Sequence, residues 1–519
     1  MPDADRDLLA ALQNPAIYAH PVDHVEMLET HISWVLLCGD YAYKIKKPLD
    51  LGFLNFSTLE KRRYYCQEEL RLNTRLAPEI YLAVVAITGS LKHPAIDAPG
   101  PVIDYAVKMR RFEQQNLFIN RLRAGTLTTG LLDQLALLVA NFHGQSPSAG
   151  LDTPFGTPET ILTPVMENFQ QIGEAVDPST QSRLEWLQQW STAKHRSLTA
   201  VFLQRRKAGH IRECHGDLHL GNIVAFRGQA TPFDGIEFNA SLRWIDVISD
   251  MAFLVMDLDD HHRSDLAFRV LNAYLERTGD YAGLVLLRFY LVYRALVRAK
   301  VAGIRLQQAS ETPELVTELR NYLDLANAYS KPPEPRLILC HGLSGSGKTT
   351  VSQKLLEALP AIRIRSDVER KRLHRLQPEQ RSESGLDQGL YAEQATHRTY
   401  SRLMQLAGTV IDAGFSVIVD ATFLRQKQRR PFIEMAREKR IPLHIVHCQA
   451  SINTLQQRIV KREKAGRDAS EASLAVLQRQ MRSREELTVE ELQNCLAVDT
   501  DNPADIDALL RFLNTSPAG

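Results

Sequence analysis

Two groups of residues, far apart in the chain, have the types and spacing needed to handle phosphate. The first is the run His215-Gly216-Asp217-Leu218-His219-Leu220-Gly221-Asn222. The second is the run Gly342-Leu343-Ser344-Gly345-Ser346-Gly347-Lys348-Thr349. An acid and an amide five residues apart can orient a hydroxyl group and bind a cation. A glycine-rich loop that ends in Lys-Thr can surround phosphate oxygens with backbone N–H groups. The chain therefore contains two candidate nucleotide sites.

The first group has the D-x-x-x-x-N spacing of a kinase catalytic loop. A carboxylate at Asp217 can orient a substrate hydroxyl and accept its proton, and an amide oxygen at Asn222 can bind Mg²⁺. Asp234, in the segment Pro232-Phe233-Asp234-Gly235-Ile236-Glu237, adds a second carboxylate at a suitable distance. Phosphoryl transfer depends mainly on positioning and charge neutralisation, so this acid–amide–acid set is sufficient for it.

The run His-Gly-Asp-Leu-His-x-x-Asn, followed by Asp234, resembles the aminoglycoside phosphotransferase/choline kinase superfamily over about residues 25–325. The resemblance implies that Asp217 is the catalytic base and that Asn222 and Asp234 hold Mg²⁺. It also implies that Asp250 is the buried acid that supports the catalytic loop. The chemistry expected is transfer of the ATP γ-phosphate to a hydroxyl group.

The segment Tyr43-Lys44-Ile45-Lys46-Lys47 occupies the place of the strand lysine that contacts the α- and β-phosphates in that superfamily. Lys44 is the first choice, from its Ala42-x-Lys44 context. Lys46 is the alternative, because both lysines point to the same face of a strand. The expected ion-pair partner is Glu68 or Glu69, and Glu68 is the residue assigned to the site. No G-x-G-x-x-G loop precedes this strand. A solvated strand edge is the competing interpretation of these lysines.

The second group matches the Walker A pattern throughout, and it lies between a short apolar run and an amphipathic segment. Lys348 is expected to reach the β- and γ-phosphates, and Thr349 to bind Mg²⁺. The expected nucleotide-binding residues of this loop are Gly342, Ser344, Gly345, Ser346, Gly347, Lys348, Thr349 and Thr350. No N-K-x-D guanine signature is present, which favours ATP over GTP.

The segments after this loop resemble the zeta-toxin/polynucleotide-kinase/gluconate-kinase group of P-loop kinases over about residues 336–500. By that resemblance Asp367 is the catalytic or acceptor-orienting acid, and Arg370 assists substrate binding. Asp420 takes the place of a Walker B-like metal ligand. The candidate lid residues are Arg458, Arg462 and Arg467. The charge runs Glu369–Arg372 and Arg429–Arg430 are typical of a solvated surface.

The expected fold has two domains. Residues 1–330 are predicted to form an α+β bilobal protein-kinase-like fold, with a β-rich lobe at about 25–112 and a helical lobe at about 113–330. Residues 331–335, Lys-Pro-Pro-Glu-Pro, form the predicted linker, because three prolines cannot continue a helix. Residues 336–519 are predicted to form an α/β P-loop NTPase domain with a parallel sheet, because short apolar strands alternate with helices.

The composition is that of a soluble globular protein, with 44% hydrophobic and 24% charged residues and a net charge of +1. The six cysteines contain no CxxC pair, and the first residues lack an apolar signal segment. A cytoplasmic location without a membrane span is therefore expected. Basic residues outnumber acidic ones after Arg336, which suits an anionic ligand such as ATP but is only weak support for nucleic acid.

Three functional hypotheses follow. The favoured one is an ATP- and Mg²⁺-dependent phosphotransferase with two catalytic modules that act on hydroxyl groups of small molecules. In the second, the P-loop module phosphorylates a nucleic-acid end or a nucleotide sugar. In the third, one module binds ATP without transferring phosphate and regulates the other, which the missing glycine-rich loop of the first module motivates.

Overall fold

The computed structural model describes residues 3–50, 52, 54–173, 178–308, 313–378, 380, 393–465 and 470–515. The chain divides into two compact units. The first comprises Met1–Glu167 and Thr192–Asp257, and the second comprises Asn168–Ser191 and Leu258–Gly519. The boundaries of these units differ from those of the predicted domains. Residues 258–330, which precede the proline-rich segment, belong to the same unit as the P-loop.

The first unit contains a six-stranded antiparallel sheet with the order β1-β2-β3-β6-β4-β5. Alternation along β3 sends Tyr43 and Ile45 into one hydrophobic core and directs Lys44 and Lys46 to the opposite face. The strands of this sheet are β1 (Val25–Glu29), β2 (Ser33–Cys38), β3 (Tyr41–Lys46), β4 (Tyr81–Ser90), β5 (His93–Ile96) and β6 (Val102–Arg110).

Two short antiparallel ribbons position the predicted catalytic segment. In the first ribbon β7 (Ile211–Glu213) pairs with β10 (Trp244–Asp246), and in the second β8 (Ile223–Phe226) pairs with β9 (Gln229–Pro232). The Asp217–Asn222 loop connects the two ribbons on one side, and the Asp234 segment connects them on the other. The loop and the segment are therefore held next to each other by paired backbone.

The helices of the first unit begin with α1 (Asp3–Leu12) and α2 (Leu59–Asn73), and α2 is capped by Thr58, whose side chain accepts a hydrogen bond from the backbone N–H of Lys61. The other helices of this part of the chain, three of which cross the division between the units, are α3 (Phe118–Arg123), α4 (Thr129–Gln145), α5 (Pro158–Gly173), α6 (Pro178–Lys207), α7 (Ala240–Arg243) and α8 (Val247–Asp260).

The second unit is built on a five-stranded parallel sheet with the order β12-β13-β11-β14-β15. The strands are β11 (Leu337–His341), β12 (Ala361–Arg365), β13 (Ser416–Asp420), β14 (Leu443–Gln449) and β15 (Cys495–Asp499). The helices are α9 (Ser264–Thr278), α10 (Leu284–Gln308), α11 (Pro313–Ser330), α12 (Lys348–Ala358), α13 (Ser366–Leu373), α14 (Glu393–Asp412), α15 (Gln426–Glu438), α16 (Ile452–Ala465), α17 (Leu474–Ser483), α18 (Val489–Gln493) and α19 (Pro503–Thr515).

The strands predicted at 336–340, 361–365, 416–420 and 442–448 are confirmed to within one residue at each end, and so is the parallel sheet. The edge strand β15 and helix α13 were not predicted. The helix predicted over 388–413 is observed as α14, and its first predicted residues, 388–392, lie outside the described residues.

The prediction that the charge runs Glu369–Arg372 and Arg429–Arg430 lie on a solvated surface is wrong for Glu369 and Arg429. Arg429 is fully buried, and its guanidinium group pairs with Glu491 and donates to the Phe423 carbonyl oxygen. Glu369 is also buried and pairs with Arg372. Partner carboxylates from distant segments make this burial possible, and the local charge pattern does not reveal them.

All six cysteines are free. Among the described residues, the helices are either too short or too polar to cross a membrane.

Candidate active sites

Asp250, in the first turn of α8, anchors the predicted catalytic loop. Its fully buried carboxylate accepts hydrogen bonds from the backbone N–H groups of His215 and Gly216, at 3.1 and 2.9 Å. It also lies 3.1 Å from Nε2 of the buried His143. His143, Cys214 and Asp250 lie close enough together to share a metal ion. The oxygens of Asp250, however, already accept hydrogen bonds from the loop, which gives Asp250 a supporting role there. The supporting position predicted for Asp250 is therefore observed.

His215 fixes the shape of the loop through its ring. Its Nε2 lies 3.0 Å from the Phe233 carbonyl oxygen, and its Nδ1 accepts a hydrogen bond from the Asp217 N–H at 3.3 Å. These partners require the neutral tautomer with the proton on Nε2. Burial lowers the pKa of His215, which favours that neutral form.

Asp217 and Asn222, the predicted base and metal ligand, are in direct contact. The Asn222 side-chain N–H₂ donates to the Asp217 carboxylate at 2.8 Å and to the Asp217 carbonyl oxygen at 3.1 Å. Because the amide nitrogen is used in this way, the amide oxygen of Asn222 is the atom that can face a cation. The Asp217 side chain is 34% exposed, so a substrate hydroxyl can reach it. His219 accepts from the Gly221 N–H, as expected of a structural loop residue.

Asp234 adopts a left-handed backbone conformation with φ = 61°, which non-glycine residues rarely do. Its N–H donates to the Tyr81 hydroxyl oxygen at 3.1 Å, and the next N–H, of Gly235, donates to the side-chain oxygen of Asn73. Its carboxylate contacts the ammonium group of Lys44. The strained turn therefore directs the predicted metal ligand towards the predicted phosphate-binding lysine.

The acid that pairs with the strand lysine is Glu69, and the assignment of Glu68 to this position is wrong. Glu69 lies 2.9 Å from Nζ of Lys44 and 2.7 Å from Nζ of Lys46. Glu68 lies on another side of α2 and pairs with Arg71 and Arg243. Consecutive helical residues differ by about 100° in direction, so only one of the two can face the lysines.

Lys44 and Lys46 have different surroundings, which sequence could not distinguish. Lys44 contacts Glu69 and the partly exposed Asp234, whereas the fully buried Lys46 contacts Glu69 and the buried Glu237. Burial lowers the pKa of Lys44, but Asp234 and Glu69 outweigh it, so the pKa is raised and the ammonium form is kept. The position of Lys44 beside Asp234 suits contact with phosphate, whereas Lys46 is placed to hold Glu69, which also contacts Lys44.

The donor set of this site fits Mg²⁺. The carboxylate of Asp234 and the amide oxygen of Asn222 are hard oxygen donors, which Mg²⁺ prefers over nitrogen or sulfur. Asp234 is partly exposed, so a hydrated cation that arrives with a nucleotide can reach it.

The P-loop between β11 and α12 has the backbone that its glycines permit. Gly342 and Gly345 have φ values of 142° and 84°, and a Cβ atom at either position would lie within 2.8 Å of a backbone oxygen. The loop is held by hydrogen bonds from the Gly342 N–H to Thr422 and from the Ser344 N–H to the Gln480 side chain. Gln480 on α17 was not predicted, and no motif in the sequence indicates it.

Lys348, at the start of α12, folds back over the loop. Its ammonium group donates to the Leu343 carbonyl oxygen at 2.8 Å. Burial lowers the pKa of Lys348, and Asp420 and Asp367 oppose this shift. Thr349 and Thr350 are exposed in the first turn of the helix, where the N–H groups can meet an anion.

Asp420 lies at the carboxyl end of β13 and is buried, and its carboxylate accepts a hydrogen bond from Ser352 on α12 at 3.1 Å. Asp367 and Arg370 lie on α13, which follows the carboxyl end of β12. Ligand sites of open parallel sheets form at this edge, where the P-loop also lies. The carboxylate of Asp420 and the hydroxyl of Thr349 are again oxygen donors that fit Mg²⁺.

The predicted lid arginines have unequal positions. Arg458 donates to the Gly345 carbonyl oxygen at 3.3 Å and to the Thr500 hydroxyl at 2.8 Å, so it contacts the P-loop itself. Arg462 donates to the Ala472 carbonyl oxygen and is not brought to the loop by any contact in the described part of the chain. Arg467 lies outside the described residues. Their closure over a nucleotide stays a prediction.

Comparison with known proteins finds relatives of one segment and of most of the chain. Residues 337–487 match the AAA domain family. Together with the parallel sheet and the glycine-rich loop, this match assigns the C-terminal part of the chain to the P-loop fold. The chain is 31% identical over 466 residues to protein Rv2004c of Mycobacterium tuberculosis, covering 88% of this chain and 91% of that protein. The chain belongs to the family of that protein.

Two solved structures are similar to this chain over part of its length. Amicoumacin kinase hAmiN, solved with AMP-PNP, Ca²⁺ and Ami, is 13% identical, with a TM-score of 0.41 over 63% of this chain and 96% of its own. A gluconokinase from Sinorhizobium meliloti 1021 is 20% identical, with a TM-score of 0.25 over 35% of this chain and 97% of its own. The compounds in these names, amicoumacin and gluconate, belong to those two enzymes.

Proposed function

We propose that this protein is an ATP-dependent phosphotransferase with two nucleotide sites, each of which transfers the γ-phosphate to a hydroxyl group of a small molecule. The observation that carries the proposal is the contact of Asp217 with Asn222 beside the Lys44–Asp234 pair. Together these residues offer a partly exposed base, a metal ligand and a phosphate-binding cation, and the Phe233 N–H, next to Asp234, donates to the Asn222 carbonyl oxygen. The second site contains the corresponding groups in Asp367, Asp420 and Lys348.

In the first site, Asp217 orients the acceptor hydroxyl and takes its proton as the hydroxyl oxygen bonds to the γ-phosphorus and the bond from that phosphorus to ADP breaks, which releases ADP. Lys44 exchanges its contact with Asp234 for one with the nucleotide phosphates, while its ammonium group stays paired with Glu69. Asn222 and Asp234 would hold Mg²⁺, which when bound neutralises phosphate charge. Because Lys46 also pairs with Glu69, that acid stays fixed while Lys44 changes partner.

In the second site, the P-loop N–H groups and Lys348 surround the phosphates, and Thr349 and Asp420 would hold Mg²⁺. Asp367 would orient the acceptor, with Arg370 beside it on α13.

The test is phosphate transfer from radiolabelled ATP by the full chain to a panel of sugars, aminoglycosides and nucleosides. Asp217→Asn and Asp367→Asn should each remove transfer to a different acceptor, by a factor of about 10³ or more. Lys44→Met and Lys348→Ala should each reduce nucleotide binding at one site only. Transfer that persists in the Asp217→Asn/Asp367→Asn double variant would refute the assignment of both acids.

A further inference from the structure

Helix α9 is bound to the edge of the parallel sheet within the second unit, although it precedes the proline-rich segment. The buried Asn272 side chain donates to the Ala361 carbonyl oxygen at 2.9 Å and accepts from the Arg363 N–H at 2.6 Å. It thereby satisfies backbone groups that an edge strand would otherwise leave unpaired. Strand β12 is consequently fixed to α9.

Glu276, one turn further along α9, holds two arginines of β12. One carboxylate oxygen accepts from Nε and Nη2 of Arg363 at 2.9 and 2.7 Å, and the other lies 3.5 Å from Nη1 of Arg365. Residues 363 and 365 share one face of the strand. Burial raises the pKa of Glu276, but the two arginines outweigh it and lower the pKa, so the carboxylate stays charged.

Both arginines lie beside Asp420. Arg365 stands opposite Asp420 in the strand register, with its Nε 4.0 Å from the carboxylate. Arg363 lies 3.4 Å from the hydroxyl of Ser352, which is also 3.1 Å from the Asp420 carboxylate. The carboxylates of Glu276 and Asp420 both approach Arg365, and the side chains of Arg363, Arg365, Glu276 and Asp420 are all largely buried.

We infer that Glu276 is a positioning residue for the metal site at Asp420, because it holds Arg363 and Arg365 and so leaves the Asp420 carboxylate available to Mg²⁺. The inference rests on the proposed function of the P-loop site. Without Glu276, two guanidinium groups would share one carboxylate, and Arg365 would pair with Asp420 at the expense of the cation. The excess positive charge would also repel Mg²⁺ directly.

The test is Mg²⁺ titration of the full chain with a fluorescent ATP analogue, in which the P-loop signal is the part that Lys348→Ala removes. Glu276→Gln should raise the Mg²⁺ concentration at half-saturation by about tenfold, as expected for loss of one charge near the cation. Adding Arg365→Met to this variant should return the value to within about threefold of the wild type, because charge balance is restored. Glu276→Asp should be intermediate.

Asn272→Ala is the matched control, because it removes hydrogen bonds between the same helix and strand without changing charge. It should lower thermal stability and leave the Mg²⁺ titration unchanged. Two results would show that Glu276 serves packing alone. One is an Asn272→Ala variant whose Mg²⁺ concentration at half-saturation rises as much as that of Glu276→Gln. The other is a Glu276→Gln/Arg365→Met variant in which this concentration does not return towards the wild-type value. If the wild type lacks a Lys348-dependent signal, the proposed P-loop function fails and this inference with it. If that signal is normal and Glu276→Gln does not shift it, only the inference fails.

Discussion

Replacing Lys46 by methionine tests whether the buried charges behind the first site are essential to its unit. The Lys46 side chain is fully buried and contacts two carboxylates, Glu69 and Glu237, whose exposed fractions are 0% and 4%. Methionine fills a similar volume but leaves Glu237 without the cation it contacts. Breaking a buried ion pair by removing one partner costs about 3–5 kcal/mol in free energy of unfolding. A domain is stabilised by about 5–15 kcal/mol in total, so the loss is large.

The pH dependence has a definite sign. Burial already raises the pKa of Glu237, and Lys46 opposes that rise. In the Lys46→Met variant the pKa rises further, so Glu237 takes up a proton on folding. A carboxyl group of this kind stabilises the fold at low pH and loses that contribution as pH rises through its folded pKa. The stability deficit of the variant should therefore shrink at pH 5.5 compared with pH 7.5.

The assay is urea unfolding of the full chain at both pH values, followed by circular dichroism and tryptophan fluorescence. Lys47→Met is the control, because Lys47 pairs with the half-exposed Glu29 and should contribute less than about 1 kcal/mol. Lys46→Met/Glu237→Gln should recover part of the loss, since the unpaired charge is gone. The reasoning is refuted if Lys46→Met costs no more than Lys47→Met, or if the double variant is no more stable than Lys46→Met.

Three further predictions concern the second unit. Arg429→Met should lower the free energy of unfolding by about 3–5 kcal/mol, because Glu491 would remain buried and unpaired; Arg430→Met, on the exposed side of the same helix, should change it by less than about 0.5 kcal/mol in the same urea titration. Burial lowers the pKa of His341 from 6.5 to about 3, so between these pH values the unfolded chain binds a proton that the folded chain does not. The free energy of unfolding should therefore fall as pH falls through this range, by up to about 1.4 kcal/mol per pH unit. His341→Phe should show a shallower acid slope, and an unchanged slope would contradict this. Gly345→Ala should abolish analogue binding at the P-loop and leave Lys44-dependent binding intact, because its Cβ would lie 2.8 Å from a backbone oxygen.

Sequence determined those features that depend on neighbouring residues. The P-loop is one continuous run whose glycines, lysine and threonine must act on the same phosphates, so its residues fix its geometry. The spacing of Asp217 and Asn222 likewise brings them together within one loop, as their 2.8 Å contact shows. Continuous apolar runs bounded by helices also sufficed to predict four of the parallel strands, since strands buried on both faces need no alternation.

Which charged residues act together over long distances depends on how the chain folds. The pattern of α2 could not separate Glu69 from Glu68, because the choice depends on which side of the helix faces β3. The pattern of β3 could not show that Lys44 contacts Asp234 whereas Lys46 contacts Glu69 and Glu237, since both lysines lie on one strand face and their partners come from elsewhere in the chain. Glu276 reaches the P-loop sheet from a helix assigned by sequence to the other domain. Ion pairs of this kind form between residues that folding alone brings together, so no local pattern encodes them.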